Sequence, residues 1–541
     1  MDQNTFSVIF NSESSSQAVL STNSSDTNAN LTYADLKTQI LNFISQAKAL
    51  LGDTYSPGIA LSSMLNNGVP CLIAFLGTAL MRSIAAPLNS QMKQSEIEFY
   101  LEDTKTKVLI VHQSLANSNH EGIKAADKLS IPVWTISWDQ HSGVVLLPYN
   151  SETVPTKHHF VAEGSYSENS FSDVQPSDIA LVLHTSGTTG RPKAVPLTHA
   201  NIAKSMRNIA KSYELTPSDR TFVVMPLFHV HGLIGSVMSS LYAGASIVLP
   251  LKYSATIFWN EFIKSESNWY SAVPTIHQIQ LQKDVPENLP KIRFIRSCSA
   301  SLAPSILEAM ENKFKAPVLE AYAMTEASHQ MCSNPLPPKA HKPASVGIPQ
   351  GIELKILDDA GHVVHLGEVC IRGDNVTHGY LNNPSANESS FTKIYSEDGN
   401  QVPEEANSLF PGKLWFRTGD QGYLDEDGYL FLTGRIKELI NRGGEKISPL
   451  EIDALLLKCP GVSDAVCFAV EHEIYGQEVA AAVIADEGSG LTADDVKKFV
   501  GTHVAAFKVP KTVYITEFFP RTATGKIQRR VVAEYFSNLK Q

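Results

Sequence analysis

The stretch Leu183–Val195 reads LHTSGTTGRPKAV, and Pro520–Arg530, near the other end of the chain, reads PRTATGKIQRR. In the first, small residues fill the space between an apolar run and a lysine. Gly187 and Gly190 permit backbone turns that aim N–H groups at one concave point. Ser186, Thr188 and Thr189 add hydroxyl donors, and Lys193 adds a mobile positive charge. The spacing differs from the G-x-x-x-x-G-K-[ST] phosphate loop, yet the chemistry it offers is the same: a cradle for phosphate. The second stretch presents a lone lysine, Lys526, on a Thr/Gly segment. About 330 residues separate the two. Bringing both to one polyanion requires two distant parts of the fold to meet, which points to ATP chemistry between two domains.

At 541 residues the chain exceeds one ordinary domain. Its 43% hydrophobic and 18% charged residues describe a globular protein. The net charge of -11 speaks against general nucleic-acid binding, which needs a basic surface. Six scattered cysteines without a CxxC pair read as reduced, packed thiols. The opening MDQNTFSVIFN lacks the features of a signal peptide, and no apolar run reaches membrane-spanning length. The ending SNLKQ is not the Ser-Lys-Leu peroxisomal address. The expectation is a soluble, cytoplasmic protein with no membrane partner.

Elements that would position the two motifs follow from periodicity. A helix is expected over Leu36–Leu51, then an alternation of helix-like and strand-like runs through Val69–His112, the pattern of a doubly wound α/β unit. Residues 12–30 read as a polar loop, and His141–Asp178 as a second polar excursion before the strand IALVLHT. Around Gly351–Tyr380 short alternating strands suggest a small β-barrel. Residues 395–413 read as a surface insertion. A charged joint at 436–438 divides an N-terminal domain, 1–435, from a smaller α+β domain, 439–541.

LHTSGTTGRPK resembles the signature loop of the adenylate-forming superfamily of acyl-CoA synthetases, coumarate ligases, luciferases and adenylation domains, and further family motifs follow in order up to Arg530. The resemblance implies that Thr185, Ser186, Gly187, Thr188, Thr189, Gly190 and Lys193 hold the phosphates of ATP. In AYAMTEAS, it places Tyr322 against adenine beside Glu320 and Ala321, Thr325 on the α-phosphate, and Glu326 on Mg²⁺. RTGD puts Asp420 on the ribose hydroxyls, with Arg435 as a second nucleotide contact. The small residues Ser299, Ala300 and Ser301 would let the adenine loop approach the base, although Cys298, Ser299 and Ser301 depart from the commoner Ser-Gly-Ala-Ala-Pro-like pattern. Lys526 would offset the repulsion between an attacking carboxylate and the α-phosphate. Lys437 would be the hinge about which the small domain swings, bringing Gly443 and Gly444 over the pantetheine arm of CoA. His229 would line the acyl site.

For the acid, His231, Arg296, Ser297, Ser299 and His329 make a polar wall, and a guanidinium pairs well with a second carboxylate. The alternative for Arg296 is a core-edge arginine paired with a local acid. The strings FIRSCSASLAP, MTEASHQMCSNPLPP and LINRGGEKISP are most similar to the oxalate–CoA ligase group. That resemblance implies activation of oxalate with ATP and Mg²⁺, and transfer to CoA. A medium-chain or 4-coumarate-type acyl-CoA ligase is the alternative. Luciferase-like oxygenation and RNA binding are further classes that no motif here selects.

Overall fold

The computed structural model describes residues 5–11, 15–20, 22, 30–115, 118–149, 171–185, 192–396, 400–402, 408–410, 412–522 and 527–538. Ser186, Gly187, Thr188, Thr189, Gly190 and Lys526 lie outside the described residues. The helix expected from Leu36 starts slightly earlier, at Tyr33, because Thr32 and Asp35 form a reciprocal capping box: Thr32 Oγ1 accepts from Asp35 N, and Asp35 Oδ2 accepts from Thr32 N. It runs over Tyr33–Leu51 and buries Leu36, Ile40 and Phe43 against the helix Val69–Leu80, which is buried on all sides except at Pro70.

These helices sit among two sheets. A seven-stranded sheet runs in the order Gly143–Pro148, Val133–Asp139, Thr106–His112, Ala60–Met64, Ile84–Pro87, Ile179–Thr185 and Lys193–Thr198. Its inner pairs are parallel and its two edge pairs antiparallel. A nine-stranded sheet places Trp269–Ala272, Phe294–Cys298 and Val318–Met324 side by side and parallel. The sheet continues through Arg220–Val223 and Ser246–Val248 to Gln17–Leu20 and Asn30–Thr32. This is the doubly wound α/β architecture, and in such sheets ligands collect beyond the carboxyl ends of the parallel strands. The segments expected to hold phosphate and adenine follow Thr185 and Cys298 in the chain, and Thr325 follows Met324.

Two polar excursions need correction. Residues 12–30 contain the strand Gln17–Leu20, parallel to Ser246–Val248, with Ala18 and Val19 fully buried. His141–Asp178 contains Gly143–Pro148, paired antiparallel to Val133–Asp139. Both strands are too short to impose a period on a Ser- and Asn-rich background; what holds each is the edge of a sheet formed elsewhere.

The short-strand region forms a five-stranded antiparallel sheet from Glu353–Leu357, Gly367–Arg372, Phe391–Thr392, Trp415–Leu424 and Leu430–Arg435. The turn Ile436–Glu438 then leads to a smaller C-terminal unit. Its strands Glu445–Ile447, Ile440–Arg442, Gly476–Ala485, Val462–His472 and Thr512–Thr516 form one sheet with its own cores on both faces. The protein is thus mixed α/β, with a large N-terminal and a small C-terminal part. Among the described residues no helix is long and apolar enough to cross a membrane.

Candidate active site

Strand alternation decides which side chains meet. On the strand Phe294–Cys298, Arg296 pairs in register with Ser271 and Leu319, whereas Ser297 pairs with Ala272 and Glu320. Paired residues of neighbouring strands share a face, and successive residues take opposite faces. Arg296 and Ser271 therefore belong to one face, and Ser297 and Glu320 to the other. Ser297, expected beside the acid, is separated from Arg296 by the sheet itself.

On the first face Arg296 is completely buried. Its Nε donates to Tyr213 Oη at 2.7 Å, one terminal nitrogen donates to Ser271 Oγ at 3.3 Å, and the other lies 3.2 Å from His329 Nδ1 and 3.0 Å from Gln330 Oε1. None of the four partners is a carboxylate. The guanidinium thus neither pairs with a local acid among the described residues nor lies open to solvent. His231, also buried, lies 2.7 Å from Ser271 Oγ through Nε2 and 3.0 Å from Ser299 Oγ through Nδ1. Its ring centroid stands 5.3 Å from that of His329.

Backbone geometry holds this cluster together. Ser299 (φ 76°), Ser328 (φ 50°) and His329 (φ 101°) all adopt the left-handed region, which non-glycine residues avoid and which concentrates at functional sites. The segment Leu233–Met238 is a π-helical turn, another feature that gathers at such sites. It presents Gly235 to the pair His329 and Arg296.

The second face carries the nucleotide motif. Tyr322 is buried, and its hydroxyl donates to Asp420, which also pairs with Arg435 Nε at 3.3 Å. Burial, and then the Asp420 carboxylate, hold the phenol well above its ordinary pKa. Glu326 is buried and accepts from Tyr380 Oη at 2.9 Å; burial raises its pKa. Lys193 Nζ stands 4.5 Å from the Tyr380 ring, and burial lowers its pKa. Lys193 and Glu326 thus meet at Tyr380, a tyrosine that the motifs did not single out, while Tyr322, Asp420 and Arg435 form a linked group. Thr185 ends the strand leading to the phosphate loop and pairs in register with Lys193. Thr325 opens a short 3-10 turn, Ala300 and Ser301 are exposed, and Ala321 is buried. His229 precedes the helical turn Val230–Gly232 and is half-buried.

Glu320 is buried behind the adenine loop, where its Oε1 accepts from Leu302 N at 2.9 Å. Burial pushes its carboxyl from the ordinary 4.5 up to about 8. The folded state then holds a proton that the unfolded chain has already lost. Stability present below pH 4.5 is lost as pH rises towards 8, at about 1.4 kcal/mol per pH unit at most. Glu320→Gln keeps the acceptor and removes the titration. Thermal unfolding should show little difference from wild type at pH 5 and a more stable variant at pH 9; a difference constant across that range would mean an ionised Glu320.

In the C-terminal unit, Gly443 (φ 60°) and Gly444 (φ 99°) form the turn between Ile440–Arg442 and Glu445–Ile447. A Cβ on Gly443 would stand 3.2 Å from Tyr475, whose ring carries the Arg442 guanidinium at 4.0 Å. Lys437 is exposed on the turn between the two units.

The side chains that sequence reasoning missed are Tyr213, Gly235, Ser271, Gln330 and Tyr380. Gln330 lies within the string MTEASHQMCSNPLPP, which was read only for its resemblance, and the other four stand in no motif singled out above.

Two family models match: AMP-binding enzyme over residues 11–381, and AMP-binding enzyme C-terminal domain over 451–526. The chain is 44% identical over 529 residues to an oxalate–CoA ligase of Saccharomyces cerevisiae, covering 95% of this chain and 94% of that protein. It is 49% identical over 518 residues to an oxalate–CoA ligase of Arabidopsis thaliana, covering 94% of each. Among solved structures, ATP-bound MatB from Rhodopseudomonas palustris superposes with a TM-score of 0.80 at 23% identity over 100% of both chains. O-succinylbenzoate coenzyme A synthetase from Bacillus subtilis, in complex with ATP and magnesium ion, gives 0.75 at 26% identity over 96% of both.

Proposed function

The chain belongs to the AMP-binding enzymes, and from that premise we propose that it is an oxalate–CoA ligase working in two half-reactions. In the first, a carboxylate oxygen of oxalate attacks the α-phosphorus of ATP, the bond to the bridging oxygen breaks, and pyrophosphate leaves. In the second, the thiol sulfur of CoA attacks the acyl carbon, the bond to AMP breaks, and the thiol proton passes to solvent. ATP and CoA are co-substrates.

One observation carries the choice of acid: Arg296, a fully buried cation none of whose four partners is a carboxylate, with His231 and His329 buried beside it. A buried charge without a counter-ion is costly, and an anion placed next to its partners offsets that cost. Oxalate brings a second carboxylate for this purpose. A medium-chain or coumaroyl group would set apolar surface against His231, His329 and Ser299 instead.

Tyr322, Asp420 and Arg435 form the nucleoside side of the site, with Glu320 and Ala321 behind the adenine loop Ser299–Ser301. Lys193, Thr185 and Thr325 serve the phosphates. Mg²⁺ fits Glu326, because this ion takes one or two carboxylates and completes its shell with phosphate oxygens and water. Bound there it would neutralise phosphate charge. Burial and the Tyr380 hydroxyl fix the direction of that carboxylate. The reading divides the chain at 436–438, with Lys437 as hinge, Lys526 for the first half-reaction, and Gly443 and Gly444 for the second. His229 takes a place at the acyl end.

Pyrophosphate release with ATP and Mg²⁺, measured over oxalate, malonate, acetate, octanoate and coumarate with and without CoA, tests the reading. Oxalate is expected to dominate with CoA present. Preference for an apolar acid would sink it.

A further inference from the structure

The acyl site holds two histidines, and an imidazole offers either nitrogen as donor. Which one it offers determines whether a carboxylate is welcomed or repelled. Partners that can only donate remove the ambiguity. Arginine is such a partner, since it has no acceptor at any pH the protein meets.

We propose that Arg296 is a positioning residue that orders the protons of the acyl site, placing the proton of His329 on Nε2 and that of His231 on Nδ1. The inference rests on the oxalate reading for its purpose, but not for its geometry. A terminal guanidinium nitrogen of Arg296 lies 3.2 Å from His329 Nδ1. The arginine must donate there, so Nδ1 accepts and the neutral ring carries its proton on Nε2. That edge of the ring looks onto Gly235, where a Cβ would come within 2.8 Å of Nε2.

The second arm is longer. The other terminal nitrogen donates to Ser271 Oγ at 3.3 Å, and Ser271 Oγ lies 2.7 Å from His231 Nε2. Ser271 is buried, and of these two neighbours only the histidine can accept. A buried hydroxyl that failed to place its proton would lose the full cost of desolvation. Ser271 therefore donates to His231 Nε2. His231 then holds its proton on Nδ1 and donates to Ser299 Oγ at 3.0 Å. With its oxygen accepting, Ser299 turns its own proton away from His231 and towards the acid.

Both arms thus run outward from one guanidinium and end on donors, His329 Nε2–H and the Ser299 hydroxyl. Gln330 and Tyr213 keep the root in place. Gln330 Nε2 donates to Ser212 Oγ at 2.8 Å, which turns its Oε1 to Arg296, and Tyr213 Oη takes Nε while bonding Ser333 Oγ at 2.7 Å. A site whose outward groups only donate selects carboxylates by direction as well as by charge.

Histidine ¹⁵N spectra of the full-length protein without acid read the tautomers directly, with signals assigned by their loss in His329→Asn and His231→Asn. Wild type is expected to show protonated Nε2 at His329 and protonated Nδ1 at His231. Ser271→Ala should disturb the His231 tautomer, leave that of His329 in place, and raise KM for oxalate tenfold or more with KM for ATP within twofold. Ser271→Thr, which restores the hydroxyl, should recover both the spectrum and KM. A protonated Nδ1 on His329 in wild type would overturn the proposal, as would a His231 signal indifferent to Ser271→Ala. Because the spectrum needs no substrate, an acid panel that rejected oxalate would count against the functional reading alone.

Discussion

Lys526→Ala is expected to slow formation of the acyl-adenylate by about 10²–10³-fold, the usual cost of removing one preorganised cation from a developing charge. Transfer of the oxalyl group from preformed oxalyl-AMP to CoA should stay within a few-fold of wild type. The asymmetry follows from charge. In the first half-reaction two anions meet, and the dianion of oxalate makes the repulsion worse than for a monocarboxylate. In the second, a thiol meets an acyl carbon and no such encounter needs relief. Lys526 lies outside the described residues, but both its flanks are placed. Arg521 and Ile527 pair across the segment, and Arg521 donates to Thr275 Oγ1 at 2.7 Å while also holding Asp464. Thr275 stands in the first turn of the helix that follows the strand carrying Ser271. Arg521, five residues before Lys526, is thereby tied to the helix that follows the strand carrying Ser271. Pyrophosphate exchange and thioester formation from synthetic oxalyl-AMP, assayed separately, give the two rates. Equal losses in both would mean that Lys526 supports the docking of the domains; no loss in the first would remove it from the chemistry.

What the sequence disclosed were groups that function as contiguous strings. A phosphate loop, an adenine strand and a ribose carboxylate are each built by a few successive residues, so their chemistry is legible in a line. The helix after Thr32 was legible from its apolar stripe, although the capping box that starts it at Tyr33 was not read. The acyl site is different. Arg296 is held by Tyr213 from the end of one helix, Ser271 from a neighbouring strand, and His329 and Gln330 from a strand entered through two left-handed residues. No spacing in the chain foretells that meeting. Ser297 failed for a related reason. Adjacent to Arg296 in sequence, it was assigned the same role, yet strand alternation sends neighbours to opposite faces. Arg296 was expected to pair directly with a second carboxylate. Read alone, a guanidinium invites a direct ion pair with substrate; in the structure it is enclosed by Tyr213, Ser271, His329 and Gln330, none of them a carboxylate.

Gly235 shows how much of the acyl site is defined by an absent side chain. A Cβ at this position would stand 2.8 Å from His329 Cε1 and Nε2 and 3.1 Å from a terminal nitrogen of Arg296. Contacts under about 3 Å force something to move, and each neighbour here is restrained. The His329 ring is held through Nδ1 by Arg296 and enters from a backbone at φ 101°; Arg296 is fixed by its other three acceptors. The backbone of Gly235 is itself part of the π-helical turn Leu233–Met238, which is buried throughout. Gly235→Ala should therefore push His329 off the guanidinium and fill the space its Nε2 edge faces. Overpacking of this kind costs about 1–3 kcal/mol in stability. A misdirected donor at the acid should lower kcat/KM for oxalate by about a hundredfold, as a displacement near 1 Å does elsewhere. KM for ATP should change little, because Tyr322 stands on the face of the sheet opposite Arg296. Steady-state kinetics on oxalate and on ATP, together with the melting temperature, separate these effects. A variant that melts lower but turns over oxalate normally would show that His329 can move without cost, and the acid would then have to be held by other groups.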